Sequence, residues 1–314
     1  MLNRRHIRIK VLQILFAYYN EEKPDAARYE KMLFESVDRF RELYISLMGI
    51  LVEMHQLAIE KIEMGMQKRL PSHEDLHPNT RFVTNEILRI LAHSRSLAEG
   101  MKYNHLKWND NPEMVKKIFK GLMETEDYSE YMSATERGFD FDREFVLRVF
   151  KKYIINHEDI QEFMEDQGIY WNDDLDLAAS MVLRTIKSIK SNDEDVQFLP
   201  LWKVGDDEEG YCRDLFRKTL ALGADHEKEI SGYTKNWEVE RIATMDMVIL
   251  KMALTEAIFF ENIPVKVTMN EYIELAKYYS TPKSAQFVNG ILDQVIPKWQ
   301  KEGKIKKVGR GLIE

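Results

Sequence analysis

Between residues 28 and 68 apolar side chains return at alternating steps of four and three: Leu33, Val37, Phe40, Tyr44, Leu47, Leu51, Met54 and Ala58. This is the spacing of a left-handed helix-packing seam. It predicts one long helix over 28–68 with a single buried stripe. The stripe can pack within a bundle or against a second copy of the chain, so the spacing leaves a homodimer open.

The rest of the chain agrees with helix. Glycine (14) and proline (8) are scarce in 314 residues, and strand-type alternation is rare, which points to an all-α fold. The stretch "RLPSHEDLHPNTR" breaks the long helix at Pro71 and Pro78. A further helix is expected from Asn79 or Thr80 through "RFVTNEILRILAHSRSLAEGM", then a loop over 104–112 and a helix near 113–124. Residues 191–210 are the most loop-like stretch of the second half.

A faint repeat is also present. Residues 141–189 and 207–255 align at an offset of 66, matching Phe150 to Phe216, Trp171 to Trp237 and Val182 to Val248. Each copy predicts a Phe-bearing helix, a polar turn, a tryptophan and an apolar helix.

Bulk properties narrow the class further. An apolar fraction of 44% with 31% charged residues fits a folded chain rather than a disordered one. No apolar run is expected to span a bilayer, and no secretory signal is expected at the start. The one cysteine, Cys212, sits between apolar neighbours and reads as core in a reducing, cytoplasmic setting.

Motifs for catalysis are weak. "HEDLH", His73 to His77, matches the H-E-x-x-H zinc pattern. That pattern needs a helix carrying both histidines on one face, and Pro71 and Pro78 leave barely one turn. No phosphate loop and no nucleophile–base pair is recognisable. The chain is therefore expected not to be an enzyme and to need neither metal nor cofactor.

The ends are basic although the net charge is -8. Arg4, Arg5, Arg8 and Lys10, with His6 among them, crowd the start of the first helix. The positive end of a helix macrodipole disfavours cations by a few tenths of a kcal/mol each, roughly. These residues thus call for an anion, and nucleic-acid phosphate is a common one. On that reading, reversing Arg5 and Arg8 should leave the helix intact. Lys298, Lys301, Lys304, Lys306, Lys307 and Arg310 form a second basic run.

Residues 245–295 carry the most specific signal. Ile263–Val267 read "IPVKV", Asn270–Lys277 read "NEYIELAK" and Phe287–Asp293 read "FVNGILD". These ordered blocks, with the arginine-rich opening, resemble the NusB family of transcription antitermination factors. The resemblance implies an all-α protein of NusB-like helical bundles with an additional helical insertion. It divides the chain into an arginine-rich first helix (1–20), a helical insertion of unknown role (21–139), a NusB-like helical domain (140–300) and a basic tail (301–314). It implies binding of boxA-type single-stranded RNA in nascent rRNA transcripts together with NusE, a small-subunit ribosomal protein, on elongating RNA polymerase. Arg4, Arg5, His6, Arg8, Lys10, Gln286 and Phe287 are the implied RNA-binding residues. Phe16 and Asp246 are the implied NusE contacts. The alternative is a helical protein–protein scaffold without RNA binding.

Residue chemistry adds three expectations. The "NEYIELAK" helix should bury Met269, Tyr272 or Ile273, Ala276 and Tyr279, with Glu271, Glu274 and Lys277 toward water. Thr281 should cap the last helix, with Pro282 at its first position. Gly290 should mark close approach of another backbone.

Overall fold

The four-and-three seam lies on one helix, Ala26–Met66. In the computed structural model all eight seam residues are at most 7% exposed. The seam is filled by the chain itself and is not a free face for a second copy. The structure describes residues 1–167, 171, 173–203, 205, 207–233 and 243–312. Trp237 and the side chain of Arg310 lie outside the described residues.

Among the described residues there are α-helices, short 3-10 and π turns, and no strand. In chain order the α-helices are α1 (Arg4–Tyr19), α2 (Ala26–Met66), α3 (His73–Leu76), α4 (Glu86–His93), α5 (Arg95–Tyr103), α6 (Pro112–Met123), α7 (Glu126–Ser133) and α8 (Phe139–Val149), then α9 (Glu158–Gln167), α10 (Leu175–Ser188), α11 (Glu208–Ala221), α12 (Gly223–Tyr233), α13 (Thr244–Phe259), α14 (Val265–Tyr279) and α15 (Ser284–Lys301). The chain divides into two compact units. One holds Met1 and residues 36–201, the other residues 2–35 and 202–314.

In the first unit the long apolar helix is fixed by buried polar contacts. Tyr44 hydrogen-bonds the Thr185 hydroxyl, and Trp171 Nε1 donates to the Arg39 carbonyl at 2.9 Å. Trp108 Nε1 donates to the Ser46 carbonyl at 2.8 Å, so part of the expected 104–112 loop is core. Helix α2 also contains a window long and apolar enough to cross a membrane by composition, contrary to the sequence expectation, and 67% of that window is buried inside the protein.

The helix expected from residue 79 onward is instead two helices, broken at Ser94. The Ser94 hydroxyl accepts from Leu97 N–H at 3.1 Å and caps α5. That hydroxyl donates to Asp195, which also accepts from Ser96 Oγ at 2.6 Å, holding the break in place. The "HEDLH" segment forms the four-residue α3, closed by a Ser72/Asp75 capping box.

The two repeat segments fold into the same helix order, α8–α9–α10 and α11–α12–α13. At the offset of 66 the buried positions coincide: Phe145 with Tyr211, Phe150 with Phe216, Ile160 with His226 and Val182 with Val248. They differ locally, since α8 ends in a π turn (Phe150–Ile154) while α11 stays α-helical to Ala221.

In the second unit α13 is the central element, packed against α1, α11, α12, α14 and α15. It is accordingly buried nearly all round, polar residues included. Where α12 begins, a Cβ on Gly223 would stand 2.5 Å from the Tyr19 hydroxyl. That hydroxyl has no hydrogen-bond partner among the described residues, and burial, with Tyr18 and Glu227 adding to it, pushes its pKa up to about 12. Gly223→Ala is expected to cost about 1–3 kcal/mol by overpacking. Adding Tyr19→Phe removes the colliding oxygen, so urea unfolding of the double variant should recover most of the loss. Simply additive costs would sink this account.

Candidate nucleic-acid interface

Helix α1 starts where it does because Asn3 caps it. Asn3 Oδ1 accepts from His6 N–H at 3.1 Å, and His6 Nδ1 lies 2.8 Å from the same oxygen. No acidic residue sits in the first turn to offset the arginines. For two of them the chain supplies the anion from elsewhere.

Arg8 is 2% exposed and forms a two-pronged pair with Glu256 on α13: Nε to Oε2 at 2.7 Å and Nη2 to Oε1 at 2.9 Å. Glu256, fully buried, also accepts from the Tyr211 hydroxyl at 2.5 Å, the Thr268 hydroxyl at 2.8 Å and the Tyr272 hydroxyl at 3.1 Å. Burial alone would push the Glu256 carboxyl up. The Arg8 charge and these hydrogen bonds outweigh it and hold the pKa below the usual carboxylate range. Arg4 Nε donates to Glu208 at 3.3 Å on α11, and its guanidinium lies 5.2 Å from the Tyr211 ring centre. Arg4 stays partly exposed, with 38% of its side chain in solvent.

Arg5 differs. Among the described residues no carboxylate oxygen lies within 4 Å of it, and its guanidinium sits 5.7 Å from the centre of the Tyr278 ring on α14. The residues at the helix start therefore divide. Arg4, Arg5 and His6 are partly exposed, whereas Arg8 and Lys10 are at most 2% exposed and face the interior. Charge reversal at Arg8 would set a carboxylate against Glu256, so the helix is not expected to tolerate it.

The remaining site residues lie on three helices of the same unit. Gln286 is exposed and Phe287 half-buried on the first turn of α15; Phe16 is half-buried on α1. Asp246 is only 6% exposed. Its Oδ2 accepts from the Ser284 hydroxyl at 2.8 Å, while Oδ1 has no hydrogen-bond partner among the described residues. This contact explains the end of α14 and the start of α15. The Ser284 hydroxyl also binds Thr281 Oγ1 at 2.8 Å, so Thr281 does not cap α15, which begins at Ser284 after Lys283.

Two further expectations are corrected here. Helix α14 buries Thr268, Tyr272, Leu275 and Ala276, with Met269 and Tyr279 only half-buried. Thr268 turns inward because its hydroxyl is bound to Glu256. Gly290 has nothing within 4 Å of a would-be Cβ, so no backbone crowds it and nothing in the structure explains the glycine.

The second basic run is partly neutralised. Lys298 pairs with Glu229 at 2.6 Å and Lys304 with Glu302 at 2.7 Å; Lys307 donates to the Phe260 carbonyl at 3.0 Å. His73 and His77 have ring centres 4.7 Å apart, and no group of three His, Cys, Asp or Glu able to hold a metal occurs among the described residues.

Comparison with known proteins decides the family. The model of the NusB family matches residues 140–297. The chain belongs to the NusB family. It is similar to the transcription antitermination protein NusB of Salinibacter ruber, 39% identical over 142 residues that make up 43% of this chain and 89% of that protein. It is also similar to the proteins of that name from Chloroherpeton thalassium, 41% identical over 90 residues (29% of this chain, 43% of that one), and Dictyoglomus turgidum, 42% identical over 104 residues (33% and 67%). No solved structure gives a significant match. This NusB-family chain is longer than the homologues it matches. Its membership is in a family of transcription antitermination factors, not of enzymes.

Sequence reasoning missed Glu208, Glu256, Tyr211 and Tyr278. A signal for Glu256 existed. A carboxylate in the apolar run "MALTEAIFF" must either face water or find a buried cation.

Proposed function

We propose that this chain binds boxA-type single-stranded RNA in nascent rRNA transcripts together with NusE, and acts on elongating RNA polymerase in the cytoplasm. Support comes from its family and from one observation: Arg5, at the exposed start of α1, has no carboxylate partner among the described residues. Arg4, Arg5 and His6 are the RNA-facing residues of α1 in this reading, with Gln286 and Phe287 on α15. Arg8 and Lys10 serve from below, by fixing α1 in place. Phe16 and Asp246 are the proposed NusE contacts. In this reading the arginine-rich helix (1–20), the insertion (21–139) and the NusB-like domain (140–300) remain the functional divisions. The scaffold alternative loses its motive, since the seam that suggested it is filled by the chain itself.

The test is fluorescence anisotropy of a boxA RNA against a scrambled control, with and without NusE. Selective binding that NusE tightens is the expected result; equal binding to both RNAs overturns the reading. The double variant Arg4→Gln/Arg5→Glu, which sets no carboxylate against Glu208, should weaken binding at least roughly tenfold without loss of helix. It should also lower the salt slope by about 0.7 for each phosphate no longer neutralised.

A further inference from the structure

Two tyrosines end α14, and the helix treats them differently. Tyr279 is half-buried, whereas Tyr278 is 71% exposed. Bare exposure of one aromatic ring says little. Its neighbour says more. The Arg5 guanidinium lies 5.7 Å from the ring centre, and Arg5 has no carboxylate within 4 Å among the described residues. Glu274, one turn back and lowered in pKa by Lys277 chiefly and by Arg5 in smaller part, is taken by Lys277 in a hydrogen-bonded ion pair. A flat cation with unspent donors thus stands beside a flat ring open to solvent. From Tyr278 the chain continues through exposed Thr281, Pro282 and Lys283 to Gln286 and Phe287, so one loop links the ring to the α15 residues already assigned to RNA.

We propose that Tyr278 is a further RNA-contacting residue, whose ring stacks on an unpaired base while Arg5 binds the adjoining phosphate. The proposal rests on the RNA-binding reading above. It adds an aromatic surface that is sequence-tolerant, because every base has a π face. The Arg5–Tyr278 contact also holds the guanidinium over the ring, ready for a phosphate oxygen.

The test titrates a fluorescein-labelled single-stranded boxA RNA dodecamer with wild type, Tyr278→Ala and Tyr278→Phe. Tyr278→Ala should bind roughly five- to hundredfold more weakly, the range for losing one stacked base. Tyr278→Phe keeps the ring and should stay within about twofold of wild type. The salt slope should be unchanged in both, because neither removes a cation, whereas Arg5→Ala should lower it. Circular dichroism should show full helix content, as expected for a ring so exposed. Wild type that fails to bind the RNA overturns the functional reading and this proposal together. Wild type that binds, with Tyr278→Ala binding equally well, overturns the stacking role alone. Weakened binding of labelled NusE by Tyr278→Ala, at unchanged RNA affinity, also overturns it and makes the ring a protein contact.

Discussion

Replacing Glu256 by alanine should destabilise the second compact unit by about 3–5 kcal/mol, the range for breaking a buried ion pair from one side. The carboxylate is 0% exposed and accepts from Arg8 twice, and from Tyr211, Thr268 and Tyr272. Its removal leaves a 2%-exposed guanidinium with only Glu271, 3.5 Å away, as a carboxylate neighbour among the described residues. Three hydroxyls lose their acceptor as well. A NusB-family domain of ordinary stability holds only about 5–15 kcal/mol in total, so the variant should unfold at much lower urea concentration. Hydrogen exchange should accelerate in α1, α11, α13 and α14 together, since those helices meet at this carboxylate. Arg8→Met/Glu256→Leu removes both charges, so it should recover much of the loss even though the three hydroxyls stay unpaired. A Glu256→Ala variant within about 1 kcal/mol of wild type would show that the hydrogen-bonded carboxylate is not what holds α1.

The same pair marks the limit of what the residues reveal in one dimension. The helical class was legible because local rules sufficed: the seam from Leu33 to Ala58 repeats without error, and every member is buried. The opening helix was legible only as a run of cations. Arg5 and Arg8 look alike in the sequence, yet Arg8 meets an acid 248 positions away and Arg5 meets a ring. No periodicity carries that distinction, because it depends on which side of α1 lies against α13. Helix α13 is hard to read for a related reason. Asp246, Lys251, Thr255 and Glu256 are polar residues in an otherwise apolar run, and a helix enclosed by five others buries them all and bonds them internally. The Thr281 cap failed through competition, since the Ser284 hydroxyl that organises the turn is also drawn to Asp246. Ser94 breaks a helix that propensity alone would have continued, because Asp195 gathers the hydroxyls around it.

Acid should loosen the second unit through His226. The ring lies on α12, 3% exposed, with Nε2 3.1 Å from the Thr255 hydroxyl and its centre 5.7 Å from that of Trp299. Burial lowers its pKa from 6.5 to about 4, the pull of Asp225 and Glu229 being too small to offset it and Lys251 adding to the fall. The unfolded chain therefore binds a proton at a pH where the folded chain does not. Above pH 6.5 both forms are neutral and the residue contributes no pH dependence. As pH falls below 6.5 the unfolded state gains the proton first, and stability drops until the folded ring also protonates near pH 4. The full loss is about 3 kcal/mol across that window. His226→Gln keeps a polar group near Thr255 and cannot take up the proton. Its stability should be nearly flat between pH 6.5 and 4 apart from the carboxylates, where wild type declines. Urea midpoints at a series of pH values separate the two. Parallel curves for wild type and His226→Gln would mean that the ring is charged in the folded protein, and that its burial against Trp299 does not hold it neutral.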